Sequence, residues 1–133
     1  MQNTHARDNL NALYDDHGII TSRVRFAGEL AVTLSATQNN WNPTGLATLS
    51  TLEIDLSGGN QAITGIVAQP AGTFLWLIHV GVASQININH ESGSSTDVNR
   101  IINRSAATLV LDPNESCSLR YSGTLSRWVV LTN

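Results

Sequence analysis

The side chains that move protons, hold metals or attack carbon are few and scattered in this sequence. The four histidines, His5, His17, His79 and His90, fall at no spacing that would bring two rings onto one metal; neither HxH nor HExxH occurs. His79 lies inside the apolar run TFLWLIHV, where a satisfied core or edge histidine is commoner than a ligand. His90 and Glu91 could supply half of an acid–base pair, but neighbours along a strand point to opposite faces. No GxSxG elbow frames a serine, so a triad of Ser92 or Ser95 with His90 and Asp97 rests on composition alone. Glu53 and Asp55 share one face of an expected strand and read as a solvated or interfacial face before they read as catalytic carboxylates. Ser57-Gly58-Gly59 lacks the lysine and the following helix of a phosphate loop. Cys117 sits in an alternating apolar pattern and reads as a buried, unreactive thiol. The expectation is a protein that is not an enzyme and carries no metal or cofactor.

Composition narrows the remaining classes. The 133 residues suit one domain able to bury a core without disulfides. Charged residues make up 13%, against roughly 25% in ordinary soluble domains. Lysine is absent; the seven basic residues are Arg7, Arg23, Arg25, Arg100, Arg104, Arg120 and Arg127. Arginine suits interfaces, because its planar fork binds bidentately and sheds water more readily than an ammonium. A net charge of -3 with no basic run argues against nucleic acid as a partner. The opening MQNTHARDNLNALYDDHG has neither the basic nor the apolar region of a signal peptide, and no apolar run approaches the ~20 residues that span a bilayer. No membrane partner is expected.

The elements that must position any site divide the chain in two. Residues 1–22 read as an N-terminal arm: Leu10, Leu13 and Tyr14 fall at i, i+3 and i+4, enough for a turn or two of amphipathic helix ending at Gly18. So short a helix persists only when packed on something else. Residues 23–133 read as a β domain. Alternating runs at Leu30–Leu34, Leu49–Leu56, Ala62–Val67, Thr73–Val80, Ser84–His90, Thr108–Leu111, Ser116–Tyr121 and Arg127–Leu131, with a short strand from Ile101, predict eight to nine strands. Turn chemistry separates them: Asn42-Pro43 with Thr44-Gly45, a hairpin turn at Ser57–Asn60, Gln69–Gly72, and the type I signature Asp112-Pro113-Asn114-Glu115. Gly65 reads as a bulge, and Ser95 or Thr96 as the cap of one helical turn. Thr73–Val80 is expected to be a central strand covered on both faces. Regular short strands and long loops point to a jelly-roll-like β-sandwich or barrel of about eight strands, with no internal repeat.

The three tryptophans are the better functional candidates. Trp76 reads as core, and Trp128 as core or half of an Arg–Trp stack with Arg127. Trp41, in the polar loop QNNWNPTG, is either an exposed anchor or sugar platform, or a lid over one end of the barrel.

Five stretches taken together carry a resemblance: NNWNPTGL (Asn39–Leu46), ITG (Ile63–Gly65), FLWLIHVGVASQININHESGSSTDVNRI (Phe74–Ile101), LVLDPNESCSLRYSG (Leu109–Gly123) and SRWVVL (Ser126–Leu131). They resemble the small β domains of bacteriophage structural proteins, namely capsid decoration (cement) proteins and modules of tail or head fibres. The resemblance covers about residues 37–131, leaves out the arm, and implies no catalytic residue. It implies a virion component made in the host bacterial cytoplasm. A small β domain with one adhesive arm suits a decoration protein on the capsid surface, a homo-oligomer (trimer before dimer) bound to the major capsid protein. The residues expected at that interface are Arg7, Leu10, Leu13, Tyr14, Arg23, Arg25 and Trp41. The alternative is a fibre or receptor-binding module whose partner is a host surface glycan, which requires Trp41 or Tyr121 to be exposed.

Overall fold

Alternating apolar and polar residues become half-buried strands because successive side chains leave opposite faces of an extended backbone. A computed structural model describes residues 25–132. Among the described residues the alternating runs form β1 (Glu29–Leu34), β2 (Thr51–Leu56), β3 (Gln61–Ile63), β4 (Phe74–His79), β5 (Ile86–Ile88), β6 (Ile101–Ile102), β7 (Leu109–Leu111), β8 (Ser116–Ser122) and β9 (Arg127–Thr132). They make a six-stranded sheet, β1-β2-β4-β8-β9-β6, and a three-stranded sheet, β3-β5-β7. Short 3-10 turns occupy Leu46–Thr48 and Asp97–Asn99, the second with Thr96 at its N-cap. The expected all-β architecture is thus observed; the arm lies outside the described residues.

The strands are joined in an unexpected way. β1 pairs with β2, β2 with β4, and β3 with β5, all in parallel. Thr51 lies beside Glu29 and Trp76 beside Thr51 in the large sheet, while Ile63 lies beside Gln38 and Ile86 beside Gln61 on the other side. The chain therefore winds: β1 with the bridging segment 38–41, β2 with β3, and β4 with β5 each lay one strand on each side, one position further along. β7, β8 and β9 then close the stack with antiparallel pairings, and β6 joins β9 in parallel. The arrangement is solenoid-like and not clearly a jelly roll, whose strands run antiparallel. Strand spacing, on which the jelly-roll expectation stood, is the same for a hairpin and for a winding. Ser57–Asn60 shows the difference: Gly58 and Gly59 take the positive φ of a tight turn (84° and 105°), yet β2 and β3 enter different sheets. The turn is right, and the hairpin is replaced by a corner.

Winding stacks like upon like in the core. Leu52 of β2 lies beside Leu77 of β4, and Ile63 of β3 beside Ile88 of β5, all fully buried. Leu75, Ile86, Leu119 and Trp128 complete the apolar filling. Each large aliphatic side chain buried this way contributes about 1.5–3 kcal/mol. His79 continues the inward row of β4; it is wholly buried, and its Nδ1 accepts the Gly81 N–H at 3.1 Å. It is a core histidine, as its position in TFLWLIHV suggested, but a half-satisfied one: its Nε2 is buried with no hydrogen-bond partner among the described residues.

Candidate interface on the outer sheet face

β4 is central, with one face fully buried and the other only partly so. Leu75, Leu77 and His79 point inward and are buried, which sends Phe74, Trp76 and Ile78 outward. The expectation that this strand is covered on both faces is therefore corrected, and so is the placement of Trp76 in the core. Register sets their neighbours. Trp76 stands between Thr51 of β2 and Ser118 of β8, Ile78 between Glu53 and Ser116, and Phe74 beside Arg120. Beyond Arg120 the outward residues turn apolar again at Val129 and, alongside it, Ile102. Small hydroxyl residues thus flank an apolar stripe running along the middle of the sheet.

Phe26 caps this stripe. Its ring lies 5.1 Å from that of Trp76, and the Phe74 ring stacks on the other side at 5.8 Å and 24°. Phe26 is 66% exposed and Phe74 40%. The backbone that brings Phe26 there is pinned. The Ser50 hydroxyl donates to Ala27 O at 2.6 Å, and the amides of Ser50 and Thr51 donate to Gly28 O at 2.8 and 3.1 Å. Gly28 sits at φ 84°, and a Cβ there would collide with Thr48 O, so no other residue makes this bend without displacing backbone. The bend turns the chain away from the line of β1 and back over the sheet.

The outward side chains of β1 and β2 carry a different character. Glu29, Glu53 and Asp55 all face the same way as Trp76, so the stripe has an acidic margin. Two exposed rings, Phe26 and Phe74, on either side of a half-buried Trp76 and beside a charged rim make a surface of the composition found in protein–protein contacts. The other large exposed apolar residues, among them Val82, Val98 and Leu125, are not part of the stripe.

The residues expected at an interface are distributed unevenly. Arg7, Leu10, Leu13, Tyr14 and Arg23 lie outside the described residues. Arg25 is exposed, one residue from Phe26. Trp41 is only 7% exposed, which corrects its reading as an open anchor or sugar platform. Its segment serves as the first winding's strand on the small-sheet side: Trp41 N–H donates to Gly65 O and Trp41 O accepts the Val67 N–H, both at 2.8 Å. Tyr121 is buried as well, edge-on to Trp128 at 5.3 Å, with its hydroxyl donating to Val98 O at 2.9 Å. Trp128 donates from Nε1 to Ile66 O at 3.0 Å and is core; it forms no stack with Arg127, which pairs with Glu91 at 2.8 Å. Sequence reading missed Phe26, Phe74 and Ile78. The period-two signal that divides Phe74, Trp76 and Ile78 from Leu75 and Leu77 was present, but an unbroken apolar run gives no sign of which half is the less buried.

The motifs that carried the family resemblance meet in a second place, and there they hold the fold together. Asn40 Oδ1 accepts from Thr96 N (2.8 Å), Thr96 Oγ1 (2.9 Å) and Asn99 Nδ2 (2.9 Å). The Ser95 hydroxyl accepts from Asn40 N at 2.9 Å and meets Thr64 Oγ1 at 2.8 Å, while Asn99 Oδ1 accepts from Ala68 N at 2.8 Å. Gly65 is not a bulge: it lets the corner press against Ser95 and Asn99, where a Cβ would lie 2.5 Å from Ser95 Oγ and 2.6 Å from Asn99 O. Ser95 is thus committed to the knot. His90, whose Nδ1 accepts from Asn103 N at 3.0 Å, and Glu91, bound to Arg127, are likewise held apart from one another.

The remaining features have little chemistry. Cys117 is buried, and desolvation pushes its thiol up to about 12. Among the described residues, no three His, Cys, Asp or Glu side chains could hold a metal, and no helix is long and apolar enough to cross a membrane. A groove of about 610 Å³ opens between β7 and β9, with Leu109, Val110 and Val130 facing Arg104 and Thr108. No protein-family model, curated protein or solved structure matches the chain.

Proposed function

We propose that this protein is a bacteriophage capsid decoration (cement) protein that binds the assembled shell as a homo-oligomer and stabilises it. One observation carries the proposal: Phe26, a few residues after the N-terminal arm of residues 1–22, lies against Trp76 on the aromatic stripe of the outer sheet face. The stripe, with the arm next to it in sequence, is the proposed adhesive region. A protein that binds the assembled shell and not its dissociated subunits stabilises the shell by mass action. Repetition around a closed symmetry axis, with a trimer favoured, would multiply that effect. The major capsid protein is the proposed partner and the virion surface the proposed location; the reading requires no catalysis, cofactor, nucleic acid or membrane.

The test is co-sedimentation of the protein with shells stripped of it, comparing the full chain, a chain lacking residues 1–22, and Phe26→Ser. Saturable binding by the full chain, weakened in both variants, supports the proposal. Binding to host cells or their surface sugars without binding to shells would move the protein to the fibre and receptor side. The burial of Trp41 and Tyr121 removes the two aromatic residues on which that alternative was first placed.

A further inference from the structure

We infer that the groove between β7 and β9 takes an extended peptide segment of a partner protein as an added strand, with apolar side chains turned inward and an acidic one on Arg104. Unpaired backbone comes first. Gln61 N–H donates to Gln85 O and Asn89 N–H to Ile63 O, so the odd-numbered residues along β5 and its flanks serve β3. Ile86 and Ile88 therefore bond to Leu111 and Leu109 across the antiparallel pair, which turns the N–H and C=O of Val110 to the open edge of β7. On the other wall, Trp128 N–H donates to Arg100 O, so Trp128 and Val130 present their backbone groups on the β6 side of β9. β6 ends at Ile102, and the Val130 carbonyl beyond it meets no strand among the described residues.

Direction agrees with this. His90 and Trp128 both run parallel beside Ile101, while β7 is antiparallel to β5. One strand continuing the line of β6 would lie parallel to β9 and antiparallel to β7, and both edges are open to it. The chain itself leaves that line at Asn103, whose Nδ2 donates to Ile88 O at 2.7 Å and Ala107 O at 2.8 Å and so holds the following loop aside. Asn103 also lines the groove, and its Oδ1 is buried with no hydrogen-bond partner among the described residues. Side chains then fix the occupant. β7, reading LVL, carries no charge or proline of the kind that blocks an edge. Leu109 and Val130 offer apolar contact within the groove of about 610 Å³. Arg104 is the one charged residue lining it and is not ion-paired with another described residue. In strand addition the main-chain ladder supplies affinity and the alternate side chains choose the sequence. The inference stands on this groove and does not depend on shell binding.

The full chain, Val110→Pro, Arg104→Glu and the chain lacking residues 1–22 are each immobilised and panned against a random library of short linear peptides. Enriched sequences are synthesised and titrated by fluorescence anisotropy, and circular dichroism confirms the fold of each protein. The full chain should enrich sequences that alternate apolar residues and carry an acidic position. Their affinity should fall about tenfold in Val110→Pro, which lacks the edge N–H. Arg104→Glu, on an exposed loop, should exchange the acidic preference for a basic one. No enrichment by the full chain, or peptides that bind both variants as tightly as the full chain, overturns the inference. Enrichment by the truncated chain alone also overturns it and gives the groove to the protein's own N-terminal residues.

Discussion

Replacing Gly65 with alanine tests whether the corner between β3 and Ser95–Asn99 is as closely packed as its geometry indicates. The added Cβ meets Ser95 Oγ at 2.5 Å, Ser95 Cβ at 2.6 Å and Asn99 O at 2.6 Å, whereas ordinary contact begins near 3.4 Å. Something must move by about 0.8–0.9 Å. Ser95 cannot give freely, because its hydroxyl holds Asn40 N and Thr64 Oγ1; Asn99 cannot, because its carbonyl accepts the Ile66 N–H at 2.9 Å. Overpacking of this kind costs about 1–3 kcal/mol, and one hydrogen bond lost in the adjustment adds about 1 kcal/mol. The expected loss is therefore about 2–4 kcal/mol, or a melting temperature lower by roughly 10 °C for a domain of this size. Urea unfolding followed by fluorescence measures it, with an unchanged m-value as the sign that only stability moved. Gly93→Ala, where a Cβ meets nothing within 4 Å, is the control and should stay within about 0.5 kcal/mol. A Gly65→Ala protein as stable as that control would refute the packing argument.

Asn40→Ala removes the acceptor of three hydrogen bonds and places alanine at φ 47°, so it should lose about 2–3 kcal/mol; Asn40→Asp, which keeps an acceptor for all three donors, should retain most of the stability in the same urea titration. Cys117 should resist a thiol reagent in the native protein and react at once in denaturant. Its raised pKa means that only the unfolded chain loses the proton above pH 9, so its contribution is complete below about 9 and stability falls as pH rises toward about 12. The slope approaches about 1.4 kcal/mol per pH unit and should vanish in Cys117→Ala. Trp128→Phe leaves the Ile66 carbonyl without its buried donor and opens space in the core; thermal melts should show a loss of about 2–3 kcal/mol.

The strands and corners were legible because their signals are local. Alternation marked β2, β5, β8 and β9 within a residue or two, and Gly58-Gly59, Gly72 and Asp112–Glu115 turn where their chemistry requires. What the strands pair with is not local. A β-run followed by Ser-Gly-Gly-Asn can fold back beside itself or pass to a second sheet, and the choice depends on which neighbour buries its apolar face. Here Leu52 and Ile54 are buried beside β4, and Ile63 beside β5, each partner at least 20 residues away. The windings share geometry more than residues: Leu52 lies beside Leu77 and Ile63 beside Ile88, but Ile54 lies beside His79 and Gln61 beside Ile86. That is why no repeat could be read from the sequence.

For the same reason Trp76 leaves its expected place in the core, while Trp41, read as either an exposed anchor or a lid, is buried. Trp41 is surrounded in sequence by Asn and Thr, yet its backbone is the first winding's strand on the small-sheet side, and its side chain falls inward. Trp76 is surrounded by Leu, Ile and Phe, yet its parity on β4 sends it out. In a doubly covered strand both halves of an apolar run face protein. In β4 one half faces the core, and the other faces outward among Thr51, Ser116 and Ser118 and is only partly buried. An apolar outward half of this kind is costly to leave in water, at about 25 cal/mol for each Å². The unbroken run TFLWLIHV is best understood as two unequal faces, one buried by the windings of the domain and the other half-buried, with the Phe26 ring lying against Trp76.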